Sequence, residues 1–181
     1  MSLPHVLLGM LAEPASGYDL KQKFEHSVRH FWAAELSQIY PALAKLENEG
    51  LLESERVASE KGPRRRIYHR TKAGRKALRE WLSDGPVCRT ERISYLTQVF
   101  FLENIDQEQR LRFFEDLRAD FADRLATLEA IEEEWRANEP SYPDRLPDQE
   151  LFKQMTLRSG LMKYRMTIEW CDECLARLSK R

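Results

Sequence analysis

Cysteine is scarce in this chain: Cys88, Cys171 and Cys174 are the whole set, odd in number and widely spread. That excludes the paired disulfide framework of a small secreted scaffold and points to reduced thiols. Seven glycines are present, but none builds a phosphate-cradling loop. A nucleophile elbow and a pair of carboxylates at catalytic spacing are also missing. The sequence offers no ground for an enzyme, and no cofactor or metal is expected. No uninterrupted apolar run reaches the roughly eighteen residues of a membrane span. The opening stretch MSLPHVLLGMLAEP lacks a positive leader and a cleavage site, so the expectation is a cytoplasmic protein.

What is present is enough to fold. Of the 181 residues 42% are apolar and 33% charged, which offsets chain entropy and keeps the surface wet. The overall net charge of −1 hides a division. Residues 1–90 hold 15 Lys and Arg against 11 Asp and Glu, whereas residues 91–181 hold 14 against 19. Between Arg56 and Arg79 ten basic residues face one acid, Glu60. A patch of that kind suits a polyanion such as DNA. Two domains are expected, residues 1–85 and 91–181.

In the first part HVLLGMLA forms a helix that stops at Glu13-Pro14. Ser16-Gly-Tyr-Asp19 has capping-box form and starts a second helix, with Leu20, Phe24, Val28 and Phe31 on one face. The stretch SQIYPALAKLENEGLL, residues 37–52, reads as a third helix with a serine start and a glycine stop at Gly50. LLESERV and RRIYHRT flank the turn Ser-Glu-Lys-Gly-Pro as a β-hairpin, and Thr71 caps a fourth helix, KAGRKALREWL, which Ser83-Asp-Gly-Pro86 ends. From Glu91 onward long amphipathic helices are broken by one loop, NEPSYPDRLPD. Phe114, Leu117, Phe121, Leu125, Leu128, Ile131 and Trp135 line one helix. Leu161, Tyr164, Ile168, Cys171, Leu175 and Leu178 alternate spacings of three and four, the heptad line of a helix packed along another, and are expected to form a dimer interface.

At one hundred degrees per residue, a third helix that buries Leu43 also buries Ile39 and Leu46. Ser37, Gln38, Pro41, Ala44, Lys45 and Asn48 then face outward, with Tyr40 on the flank. Small residues let such a face approach a surface, and amide side chains read base edges in a major groove. Followed by a basic hairpin in which Arg64, Arg65 and Arg66 stand together, this is the order of a winged helix-turn-helix. The ordinary account of each piece alone is a solvated helix face and a solvated charge run. Their adjacency favours DNA.

The segments HVLLGMLAEPASGYDL (5–20), IYPALAKLENEGLL (39–52) and GPRRRIYHRTKAGRKAL (62–78) resemble the PadR family of bacterial transcriptional regulators. The resemblance implies a mostly α-helical protein: a winged-helix DNA-binding domain followed by an all-α domain that forms a dimer, as in the larger subfamily. It further implies a repressor that leaves DNA when a small molecule, often aromatic, binds. Carried over by position, Ser37, Gln38, Tyr40, Pro41 and Lys45 face DNA from the helix and Arg64, Arg65 and Arg66 from the wing. Tyr18 and Lys21 would contact the backbone.

Other readings are open at this point. A winged helix can bind protein instead of DNA, with its basic hairpin on an acidic partner. Cys171 and Cys174 suggest thiol-based redox sensing or zinc, although the four ligands of a structural zinc site are not in view. His26 and His30 are half of a metal site or simply two polar residues near a helix end. Trp135, Trp170, Tyr164, Phe152, Met155, Met162 and Met166 line an aromatic effector site or, as such stripes ordinarily do, core and dimer seam.

Overall fold

In the computed structural model the first helix, α1 (Leu3–Met10), buries Leu7 and Leu8 and packs on the third and fourth helices. The structure describes residues 3–27, 31, 35–59, 62–88 and 91–180, without the side chains of residues 25–27, 58–59 and 62–64. The chain divides into two units, residues 1–89 and 90–181.

Unit one follows from its caps. Helix α2 (Gly17–Ser27) begins where Ser16 and Asp19 satisfy each other: the Asp19 amide donates to Ser16 Oγ at 3.2 Å, and the Ser16 amide donates to Asp19 Oδ2 at 3.0 Å. The Ser16 hydroxyl, which donates to Asp19 Oδ2 at 2.7 Å, and then the Ser16 amide hold the Asp19 carboxyl below its ordinary range. A depressed carboxyl stabilises the fold above its unfolded pKa and loses that effect as pH falls through its folded pKa. Acid titration below about pH 4 is therefore expected to loosen the start of α2 in the native chain but not in Asp19→Asn, with amide exchange as the readout. Leu20 and Phe24 are buried as the periodicity requires, but Phe31 is exposed. Val28 lies outside the described residues.

Helix α3 (Leu36–Asn48) buries Ile39, Leu43 and Leu46. It ends in a glycine motif: the Leu51 amide donates to the Leu46 carbonyl and the Gly50 amide to the Glu47 carbonyl, both at 2.9 Å, with Gly50 at φ +70°. The helix starts one residue before the expected serine, with Glu35 as the cap. Pro41 is its sixth residue and not part of the first turn. It thus removes one helix bond, the one that would reach the Ser37 carbonyl, on an exposed side where water serves instead.

The wing is longer than the expected hairpin and gains a third strand. β2 (Leu52–Ser59) pairs antiparallel with β3 (Gly62–Arg70), and β1 (Ala15–Ser16) adds to the other edge of β3, giving the order β1-β3-β2. Helix α4 (Lys72–Ser83) starts at Thr71, whose Oγ1 accepts from the Gly74 amide at 3.0 Å. One core joins these elements through Leu7, Leu20, Phe24, Leu43, Leu46 and Tyr68.

Unit two has helices and loops and no strand among its described residues. A short α5 (Ser94–Val99) and a 3-10 turn precede α6 (Gln107–Asn138), and α7 (Asp148–Leu178) runs back along α6. Phe121 and Leu128, seven residues apart, pack with Leu157, Leu161 and Tyr164, with Phe121 and Tyr164 edge to face at 5.5 Å. No helix among the described residues is long and apolar enough to cross a membrane.

Candidate nucleic-acid interface

The outward face of α3 is built as its sequence indicates. Ser37, Gln38, Tyr40, Pro41, Ala44, Lys45 and Asn48 are all exposed, while the opposite side is sealed in the core. Two of these residues also hold the fold. Gln38 Oε1 accepts from the Glu35 amide at 3.1 Å, so its carbonyl closes the helix start and its NH2 group is the part left to face a groove. Lys45 lies 3.8 Å from Glu49, an exposed pair that a phosphate can displace at little cost. Tyr40 rests over the start of α2, where a Cβ on Gly17 would come within 2.5 Å of its ring. The Ser-Gly-Tyr stretch thus leaves space for the tyrosine of the recognition helix. Tyr18 is exposed, and Lys21 sits 3.9 Å from Glu35 at the head of α3, so both border the same face.

In a β-strand successive side chains point to opposite faces, so Arg65 and Arg66 lie on opposite sides of the wing. Arg65 is exposed and pairs in register with Val57. The side chain of Arg64, and the tip residues Glu60 and Lys61, lie outside the described residues. Arg66 has partners within the chain: its guanidinium donates to Glu47 Oε2 at 2.6 Å and to Ser54 Oγ at 2.7 Å, and Ser54 donates to Glu47 Oε1 at 2.6 Å. It also lies 5.4 Å above the Tyr68 ring. The Ser54 hydroxyl first, and then Arg66, hold the Glu47 carboxyl below its ordinary range. This network ties the C-terminal half of α3 to the two long strands of the wing. A run of arginines revealed the charge but not this division of labour.

In unit two the heptad line is occupied inside the chain. Leu161, Tyr164 and Cys171 are buried by this chain's own packing, and Ile168, Leu175 and Leu178 are partly covered. A three-four spacing says that a helix packs on a helix and does not say whose helix that is. Of the residues expected to line an aromatic site or the core and seam, Tyr164 is buried, and Phe152, Met155, Met162 and Met166 are 53–62% exposed along α7 in the single chain. Trp170 meets Phe114 at 5.6 Å and Trp135 meets Tyr142 at 6.3 Å.

Burial pushes the thiols of both Cys171 and Cys174 up, away from the reactive thiolate. The described residues contain no group of three or more His, Cys, Asp or Glu able to hold a metal ion. His30 and the side chain of His26 lie outside the described residues.

Comparison with known proteins accounts for both units. Residues 6–80 match the model of the transcriptional regulator PadR-like family, and residues 91–179 match the virulence activator alpha C-terminal model. A probable transcriptional regulator of Mycobacterium tuberculosis is 30% identical over the full length of both chains. The negative transcriptional regulator PadR of Bacillus subtilis is 25% identical over 98% of each. Its structure with operator DNA has the same fold (TM-score 0.84, 24% identity, 98% and 99% coverage), as does its structure with p-coumaric acid (TM-score 0.77, 25%, 98% and 95%). The Vibrio cholerae virulence activator AphA superposes with a TM-score of 0.78 at 30% identity over 99% of both chains. The chain belongs to the PadR-like family of transcriptional regulators.

Proposed function

We propose that this protein is a cytoplasmic homodimer that binds a pseudo-palindromic operator, represses the adjacent gene, and releases DNA on binding a small-molecule effector. The observation that carries this reading is the exposed, polar, small-residue face of α3 beside a basic wing braced to it by Arg66. Residues 1–85 serve as the DNA-binding domain and residues 91–181 as the dimerisation and effector domain. Binding, not catalysis, is the activity. Repression and an effector follow the Bacillus subtilis relative, a negative regulator whose structures hold operator DNA and p-coumaric acid. The Vibrio cholerae relative is a virulence activator, so the sign of regulation is tested with a reporter in a deletion strain.

A dimer needs a surface that the chain itself leaves open. Phe152, Met155, Met162 and Met166 recur on one side of α7 and are exposed, which fits a second copy better than the occupied heptad line. Two copies place their recognition helices roughly 34–36 Å apart, one turn of DNA. Sedimentation of the purified protein tests the assembly: a dimer at micromolar concentration is expected, and a monomer removes it.

On DNA, Ser37, Gln38, Tyr40, Pro41 and Lys45 lie against the groove, Tyr18 and Lys21 against the backbone, and Arg64 and Arg65 extend from the wing, with Arg66 chiefly holding the wing in place. Replacing Gln38 with alanine is expected to change preference by about 1–3 kcal/mol at one base pair per half-site. Uniform weakening on every sequence would assign Gln38 to the helix cap alone. Arg65→Ala is expected to weaken binding to all sequences and to lower the salt slope by about one counterion per protomer. An unchanged slope would leave that guanidinium in solvent.

A further inference from the structure

Unit one carries a second basic feature away from its recognition helix. The α1–α2 loop, the base of the wing and the first turn of α4 surround a cavity of about 510 Å³. Arg70, Lys72, Arg75 and His69 line it, with one carboxylate, Glu53. His69 is partnered, its Nε2 lying 3.2 Å from Glu55. Among the described residues Arg70, Lys72 and Arg75 form no ion pair, whereas Lys76, on the next turn, pairs with Glu80 at 3.6 Å.

Two of the three cations are held in place. Arg70 Nη1 donates to the Leu8 carbonyl at 2.8 Å, at the end of α1. Arg75 Nη1 donates to the Arg70 carbonyl at 2.9 Å, which folds it back over the start of its own helix. Two guanidinium groups are thereby brought near one another, and burial together with Arg75 lowers the pKa of Arg70. Lys72 stands on the first turn of α4, at the positive end of that helix dipole. Fixed guanidiniums with forked donors match the oxygens of phosphate. We propose that this cavity is a binding site for a small phosphate-bearing molecule carrying two or more negative charges.

Its position separates it from the DNA-facing surface. Glu53 lies six residues along β2 from Ser59 at the wing end, about 20 Å of strand. Thr71 bonds the Gly50 carbonyl at 2.8 Å, which places the cavity beside the C-terminal end of α3, about 20 Å of helix from its first turn. A ligand here touches the wing base and α4, not the groove-reading residues.

The test uses purified full-length protein titrated calorimetrically with inorganic pyrophosphate, alone and as the double variant Lys72→Gln, Arg75→Gln. Arg70 is kept because it caps α1. Saturable binding by the native chain that is at least tenfold weaker in the double variant, with the salt slope of DNA binding unchanged, is the expected result. Equal binding by both chains, or no binding by the native chain at millimolar pyrophosphate, overturns the proposal. A salt slope lower by about two counterions per protomer in the double variant also overturns it, since the cavity would then be a DNA-backbone contact.

Discussion

Gly74→Ala is expected to lower the melting temperature of the first unit by roughly 12–24 °C and to abolish DNA binding at the temperatures where that unit has melted. The residue is the third of α4, where alanine would ordinarily favour the helix by about 1 kcal/mol. Space decides against that gain. A Cβ here would lie 2.2 Å from the Leu51 carbonyl oxygen and 3.1 Å from side-chain atoms of Leu8 and Arg70. The oxygen belongs to the backbone of the α3–β2 connection and has Thr71 bonded to it at 3.1 Å, so it cannot step aside as a side chain would. Overpacking costs typically about 1–3 kcal/mol and occasionally more. Backbone against backbone puts this site at the upper end, and about 3 kcal/mol moves a unit of this size by roughly 4–8 °C per kcal/mol. A thermal melt checks it, and an unchanged or higher melting temperature would show that α4 moves away from Leu51 without penalty.

Leu161→Ala carries the second large effect, about 2–5 kcal/mol of lost stability in the second unit. Leu161 is completely buried in the cluster of Phe121, Leu128, Leu157 and Tyr164. Truncation removes apolar surface from that cluster and leaves a cavity that two long helices close only partly. The concentration dependence of the melt separates the two possible roles of the residue. A core position inside one chain gives the same loss relative to the native protein at every protein concentration. A position between chains gives a loss that tracks weakened dimerisation and moves the monomer–dimer equilibrium in sedimentation. The first outcome is expected.

The start and end signals of the first unit were legible because each is a local, nearly self-contained arrangement. Ser16 with Asp19, Thr71 with Gly74, and Gly50 after α3 form their bonds within a few residues, so spacing alone identifies them. The outward face of α3 was legible for a similar reason, since helical pitch fixes which residues oppose Leu43. What escaped is nonlocal. Strand β1 has two residues, too few for a pattern, and exists because β3 offers a free edge. Arg66 reads as one of three equal charges until the fold brings Glu47 and Ser54 to it across 19 and 12 residues. Gln38 reads as a base reader, while its carbonyl also serves the helix cap. The heptad line on α7 was legible as a packing face, but α6 of the same chain and a helix of a second copy present the same spacing to it.

The Arg66 network bears on how the domain would discriminate among DNA sequences. A recognition helix and a wing that move independently can each settle on many sites, whereas a fixed angle between them demands that groove and backbone be correctly placed together. Glu47 and Ser54, both bonded to Arg66, link the helix to the wing.

The most direct test of the central claim is selection of bound duplexes from a random DNA pool by the purified protein, with salt dependence measured on the winning sequence. An enriched inverted repeat, its half-sites about one helical turn apart, with affinity falling steeply as salt rises, is the predicted result. A pool that emerges unenriched, from a protein that stays folded and dimeric and binds DNA no better at low salt than at high, would contradict it.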